Sequence, residues 1–182
     1  MDGGRRLWDG TPVVLRPLQP EDRDRLREAY LELTPESQYA RFLAPVPTLT
    51  PLMLHRLVDH VDGHMHVALL LCEQAGEEIG IGRFVREPQR PEYAEMAFTI
   101  AEDWRGRGAG AALCDGLVAQ ARKRGVRYFT ATVLATNAAS LRLLLRAGRV
   151  VRRTLAYAGT VEVEMELQEP PEPAPRLLER VP

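Results

Sequence analysis

Residues 104–110 read Trp104-Arg105-Gly106-Arg107-Gly108-Ala109-Gly110, and this stretch decides the fold. It carries Arg-x-x-Gly-x-Gly at Arg105, Gly108 and Gly110, with Ala111 next in line. A strand pattern ends just before it. An amphipathic helix pattern begins just after it. A glycine-rich turn that opens a helix leaves several backbone N–H groups unpaired and aimed the same way, where the helix dipole adds positive potential. Such a turn suits an anion, above all a diphosphate. Glycine supplies both the unusual dihedrals and the close approach of a ligand to the backbone.

Two common phosphate-binding turns do not fit. A P-loop needs Gly-x-x-x-x-Gly-Lys followed by Ser or Thr, and no Lys-Ser or Lys-Thr pair follows here. A dinucleotide fingerprint needs Gly-x-Gly-x-x-Gly and an acid about 20 residues on. Here Gly106, Gly108 and Gly110 alternate, and the following strand ends without an acid.

Outward from the turn, residues 93–100 alternate as a strand. Tyr93, Glu95, Ala97 and Thr99 fall on one face, and Ala94, Met96, Phe98 and Ile100 on the other. Leu113, Leu117, Val118 and Ala121 stripe the helix after the turn, which Gly125 stops. Residues 126–134 read as a strand. Asn137 caps a helix carrying Leu141, Leu144 and Leu145, and Gly148 ends it. Residues 150–157 and 160–167 read as a hairpin. Upstream, residues 11–15 and 78–85 read as strands, and 66–72 as one covered on both faces. Helices are expected from Pro20, with Leu26, Tyr30 and Leu33 inward, and after Thr34-Pro35 and Thr50-Pro51.

Length and composition set bounds. The 182 residues suit one domain, and 45% hydrophobic content supports a core. The 24 basic and 25 acidic residues leave a net charge of −1, which argues against a nucleic-acid partner. Cys72 and Cys114 make neither a disulfide framework nor a zinc set, so a reducing, cytoplasmic setting is expected. No apolar run is long enough for a membrane span, and residues 1–8 lack the apolar region of a signal peptide. Residues 1–10 are expected to be flexible and 11–168 to form a single domain. Residues 169–182, with Pro170, Pro171, Pro173, Pro175 and Pro182, are expected to be a disordered tail.

The loop resembles the acyl-CoA diphosphate loop of the GNAT superfamily, the acetyl-CoA-dependent N-acyltransferases. The resemblance runs from about Val13 to Leu167 and includes the Asn137-Ala138-Ala139-Ser140 segment and Gly148. Leu15-Arg16-Pro17-Leu18, Glu21-Asp22, Thr34-Pro35-Glu36-Ser37, Arg41-Phe42, Leu57, Asp59, Ala94-Glu95 and Ala97 are similar to the GNAT domain of Pat-type protein lysine acetyltransferases. In that subfamily the domain is often fused to other modules; here it is expected to stand alone.

The resemblance implies an α/β (α+β) fold with a mixed, mostly antiparallel, splayed sheet of six to seven strands and helices on both faces. It implies acetyl-CoA as cosubstrate, no metal, and an amine acceptor, with a protein lysine such as one on an acyl-CoA synthetase as the acceptor class of the Pat-type enzymes. Cofactor contacts are implied from Arg105, Gly106, Arg107, Gly108, Ala109, Gly110 and Ala111, and from Asn137 to the pantetheine arm. A backbone N–H among Phe98, Thr99 and Ile100 is implied to hold the oxyanion.

Glu95 matches the catalytic glutamate of the Pat-type enzymes. A carboxylate in mid-strand is unusual, and burial beside the carbonyl would suit it to take a proton. Leu144 stands where many family members carry a general-acid Tyr, which leaves Ser140 as a weak alternative. His60, Asp62, His64 and His66 are read as loop residues near the acceptor rather than as a metal set. A small-molecule amine acceptor and a non-catalytic acyl-CoA-binding domain are the competing readings.

Overall fold

The computed structural model describes residues 5–167. The Pro-rich tail expected over 169–182 lies outside the described residues. An eight-stranded sheet has the order β1-β2-β3-β4-β5-β6-β8-β7. Its strands are β1 (Arg5–Arg6), β2 (Pro12–Pro17), β3 (His66–Glu73), β4 (Glu78–Glu87), β5 (Arg90–Ile100), β6 (Tyr128–Leu134), β7 (Arg149–Leu155) and β8 (Thr160–Glu166). The helices are α1 (Arg23–Leu31), α2 (Pro35–Phe42), α3 (Pro51–Leu54, continued by a π turn over His55–Asp59), α4 (Ala109–Lys123) and α5 (Ala138–Ala147).

The strand count exceeds the expected six to seven because the N-terminus joins the sheet. Arg5 and Arg6 pair with Val13 and Pro12, and Leu7 is buried in the main core. Trp8 donates its N–H to the Arg107 carbonyl at 3.0 Å. The expectation of a flexible segment over residues 1–10 therefore does not hold from Arg5 onward. Two residues of strand are too few for a periodicity to register.

β3 lies between the two layers, as its unbroken apolar run requires. Val67, Leu69 and Leu71 join the core beneath α4, with Leu113, Leu117 and Phe129. Ala68, Leu70 and Cys72 face the opposite layer, with Leu26, Tyr30 and Leu33 from the α1 region. Thr34 and Thr50 cap their helices by accepting from Ser37 and Met53 N–H groups. Asp22, acidic in the first turn before α1, is held by other partners as well. It binds Arg16 in two bonds of 2.7 Å and accepts the Gln19 N–H at 2.8 Å.

All pairings are antiparallel except β5 with β6. That parallel join holds only Tyr93–Tyr128, Ala94–Phe129 and Glu95–Thr130. Beyond Glu95 the two strands no longer pair with each other, though each keeps its other neighbour, and the sheet opens there as a V. The closed end is pinned by the Tyr93 and Tyr128 rings, stacked at 4.6 Å, and by the Tyr93 hydroxyl donating to Glu164 at 3.1 Å.

α5 turns Leu141, Leu143 and Leu144 toward the core, whereas Leu145 is exposed, contrary to its expected place on the apolar stripe. Gly148 ends α5 with extended backbone, and a Cβ there would sit 2.2 Å from the Glu166 carbonyl oxygen. Its role is close approach to β8. Gly148→Ala must push backbone against backbone, which costs about 2–3 kcal/mol. Urea unfolding checks this; a variant within about 0.5 kcal/mol of wild type, the range of a neutral surface change, would contradict it.

Candidate active site

The turn before α4 takes the conformation its glycines permit. A short 3-10 turn over Glu102–Trp104 ends β5, and Gly106 and Gly108 follow with φ of +72° and +94°. Gly108 lies against the Trp8 ring, where a Cβ would come within 3.0 Å. Among the described residues, no backbone N–H from Gly106 to Ala111 donates to a protein acceptor; the first helical bond runs from Ala112 to the Gly108 carbonyl at 3.0 Å. Such a row of free amides at a helix N-terminus is suited to holding an anion.

Phe98, Thr99, Ile100, Arg105, Gly106, Gly108, Gly110, Ala111 and Asn137 all line one cleft of about 680 Å³. The cleft enters the V between β5 and β6. Ala109 and Arg107 do not line it. Ala109 is buried against the core and offers only its N–H. Asn137 also performs its expected cap, accepting the Ser140 N–H at 3.0 Å.

The two loop arginines are committed to the protein. Arg107 pairs with Asp9 at 2.6 Å, donates to Thr11 Oγ1 at 3.0 Å and stacks over Trp104 at 4.0 Å. The Thr11 backbone N–H first, and then the Thr11 hydroxyl and Arg107, hold the Asp9 carboxyl down to about 2. Arg105 donates to the Ile100 carbonyl and to Ser37 Oγ at 2.9 Å, and it pairs with Glu102. Ser37 Oγ in turn donates to Glu102 at 2.6 Å. Glu102 is held below the usual carboxylate range: desolvation, which would raise it, is outweighed by hydrogen bonds from Ser37 and Thr34. The latch ties α2 to the loop and fixes the turn. The row of amides is thus built from backbone, with both guanidinium groups as its props.

Arg41 and Arg142 both line the cleft without an ion-pair partner among the described residues, and neither was among the expected cofactor contacts. Arg142 on α5 lines the cleft, is exposed, and has no carboxylate partner among the described residues. Its neighbour Arg146 pairs with Asp115 at 2.7 Å. The signal lay in the helical period: Arg142 and Arg146 stand one turn apart on the helix that Asn137 caps.

Glu95 sits at the last paired position of the β5–β6 join, at the apex of the V. It is exposed rather than buried as expected. Among the described residues its carboxylate makes no ion pair or hydrogen bond. Its face is shared with Val85, its direct partner on β4, and with Ala97 and Thr99. Leu144 is 1% exposed in the core, so the position of the usual Tyr offers no hydroxyl. Ser37, Thr99 and Ser140 are the hydroxyls that line the cleft.

The polar loop after α3 holds no metal cluster among the described residues. Asp62 accepts the N–H groups of His64, Met65 and His66 at 2.8–2.9 Å. His66 is buried beside Arg83, and burial first, then that guanidinium, pushes it down to about 4. It is therefore neutral near pH 7.

Residues 13–150 match the family described as the acetyltransferase (GNAT) domain. The chain belongs to the GNAT acetyltransferase family. It is 36% identical over 162 residues to acetyltransferase Pat of Mycolicibacterium smegmatis, covering 87% of this chain and 46% of that protein. The chain thus spans about half the length of that relative. It is 35% identical over 150 residues to acetyltransferase PA5475 of Pseudomonas aeruginosa, covering 81% and 80%. The GNAT domain of S. lividans PAT superposes with a TM-score of 0.80 at 32% identity, over 91% of this chain and 96% of that one. The structure of yncA from Salmonella typhimurium, which contains its cofactor acetyl-CoA, superposes with a TM-score of 0.69 at 19% identity, over 88% of this chain and 97% of that one. The free amides and the cleft fit acetyl-CoA, and among the described residues no helix is long and apolar enough to cross a membrane.

Arg142→Ala removes the exposed, unpaired cation of α5 from the cleft while leaving the row of free amides. A threefold to tenfold weaker affinity for acetyl-CoA is expected, about 1 kcal/mol, with the largest effect at low salt. Titration calorimetry at two ionic strengths checks it. An unchanged affinity at both would place the anionic end of the cofactor elsewhere.

Proposed function

We propose that this chain moves an acetyl group from acetyl-CoA to a primary amine, most simply a protein lysine, with Glu95 as the general base. The observation that carries the reading is the position of Glu95 where the V closes, on the strand whose far end lines the cofactor cleft.

The chemistry follows from what the residues offer. The amides from Gly106 to Ala111 hold the diphosphate. The arm runs down the gap between β5 and β6, past Asn137. The stretch of β5 at Phe98–Ile100, paired with β4 but not with β6, supplies an N–H to the thioester oxygen as charge develops there. An uncharged amine attacks the carbonyl carbon, and a bond forms between nitrogen and carbon. Glu95 takes the amine proton, directly or through one water, which its exposure permits. The carbon–sulfur bond then breaks and the thiolate departs. With Leu144 in the core, the thiolate takes its proton from water in the open cleft.

The lysine acceptor rests on likeness to the two Pat-named proteins. The balanced surface charge gives no hint of a polycationic small molecule. A second reading, an acyl-CoA-binding domain without turnover, draws support from the missing hydroxyl at Leu144. Glu95→Gln separates the two. Under the enzymatic reading kcat falls by about a hundredfold or more, while acetyl-CoA affinity stays within about twofold. The assay follows free thiol with a panel of amines and one acyl-CoA synthetase. Equal turnover by the variant would remove Glu95 from the mechanism.

A further inference from the structure

A second, smaller cavity lies beside the cleft, on the side of the sheet covered by α1 and α2. It has a volume of about 60 Å³, room for roughly four waters or one carboxylate-sized group. Arg41 and Thr99 line both spaces, so the cavity opens on the thioester end of the cleft. Its wall is mostly apolar, with Leu26, Tyr30 and Leu70 among the lining residues. Arg83 projects into it from mid-strand in β4.

Arg83 is only 6% exposed. Its register partner is Ala97, so it stands on the same face as Glu95 and Thr99 and between them along the strand. One of its nitrogens donates to the Leu57 carbonyl at 2.7 Å and to His66 Nε2 at 3.2 Å. Neither partner carries negative charge. Arg41, at the end of α2, stacks on Phe42 at 4.8 Å. Among the described residues, neither guanidinium has a carboxylate within ion-pair distance. Glu78 lines the far end of the cavity, where its surroundings are Asp22, Arg16 and Arg25.

Arg83 is a buried cation and Arg41 a half-buried one at the mouth of the cleft, and two cations on one mostly apolar wall are unfavourable unless something answers them. Desolvation lowers both, and Arg41 adds to it at Arg83, which is pushed down to about 9; Glu95 acts in the opposite sense on Arg41. Arginine is the side chain that grips a planar carboxylate.

We propose that Arg41 and Arg83 bind a carboxylate of the reacting pair, carried either on the acyl chain of the donor or on the acceptor amine. The inference rests on the reading of the larger cleft as the acyl-CoA site. An ω-carboxyacyl donor would reach past Thr99 into the small cavity. An acceptor bearing a carboxylate would enter from the α1–α2 side with its amine toward Glu95.

Matched pairs of substrates distinguish the two sources. Succinyl-CoA is compared with butyryl-CoA at one fixed amine, and leucine with leucinamide at saturating acetyl-CoA. The ratio of kcat/KM for charged over neutral member is read in wild type, Arg41→Gln and Arg41→Lys. Reading ratios across variants cancels the different basicities of the amines. A carboxylate held by two guanidinium groups gives a ratio in one pair about tenfold or more above that of Arg41→Gln. Arg41→Lys should recover part of it. A response in the donor pair assigns the carboxylate to the acyl chain; a response in the acceptor pair assigns it to the amine. Should Arg41→Gln fail to fold, a wild-type preference of about fivefold or more for succinyl-CoA over butyryl-CoA, or for leucine over leucinamide, carries the result. Ratios within twofold of wild type in both pairs would overturn the proposal. Calorimetry of acetyl-CoA with wild type separates the failures: binding with flat ratios defeats this inference alone, and absence of binding defeats the cleft reading beneath it.

Discussion

A row of backbone N–H groups without partners costs free energy wherever it occurs, and here it runs from Gly106 to Ala111 at the mouth of α4. Much of the surrounding structure keeps that row open. Arg107 reaches out to Asp9, Thr11 and Trp104, which pulls the N-terminal segment onto the loop. Trp8 closes over Gly108. Arg105, Glu102 and Ser37 bind α2 to the other side. These are exposed pairs of small individual worth. Together they hold a turn whose positive φ values any other residue would resist.

The second constraint is the short join between β5 and β6. Three residue pairs and one stacked pair of tyrosines hold the sheet together there. Past them the strands diverge, and the diverging stretch lines the cleft. The same divergence places Glu95 at the apex and leaves it accessible. A continuous sheet would have paired the edge of β5 and closed the entrance. The gap, the amide row and the apex carboxylate are therefore parts of one arrangement, set by where parallel pairing stops.

Much of this was legible in the residues. Gly106, Gly108 and Gly110 between a strand pattern and a helix pattern located the row of free amides, because glycine spacing reflects backbone need directly. Asn137 announced both a cap and a cleft wall. The continuous apolar run of β3 foretold a strand buried on both faces. Other features depend on distance in space and left weaker traces. Arg105 and Arg107 looked like phosphate ligands, since a sequence shows their charge but not that Glu102 and Asp9 answer it. The burial expected of Glu95 required knowing what packs over that face of β5. Arg83 stood in plain view as a cation in mid-strand between Ile81 and Val85 on its face, a buried position that arginine seldom takes without a reason. Its meaning waited on Arg41, which chain distance separates and the fold brings near.

The central claim is that the backbone amides before α4 grip the diphosphate of coenzyme A. Titrating acetyl-CoA into isotope-labelled protein and recording amide proton and nitrogen shifts tests it residue by residue. Saturable binding is expected, with the largest downfield shifts from Gly106 to Ala111 and smaller ones at Asn137. Saturable binding that leaves those amides unmoved, or no binding to folded protein, would contradict it.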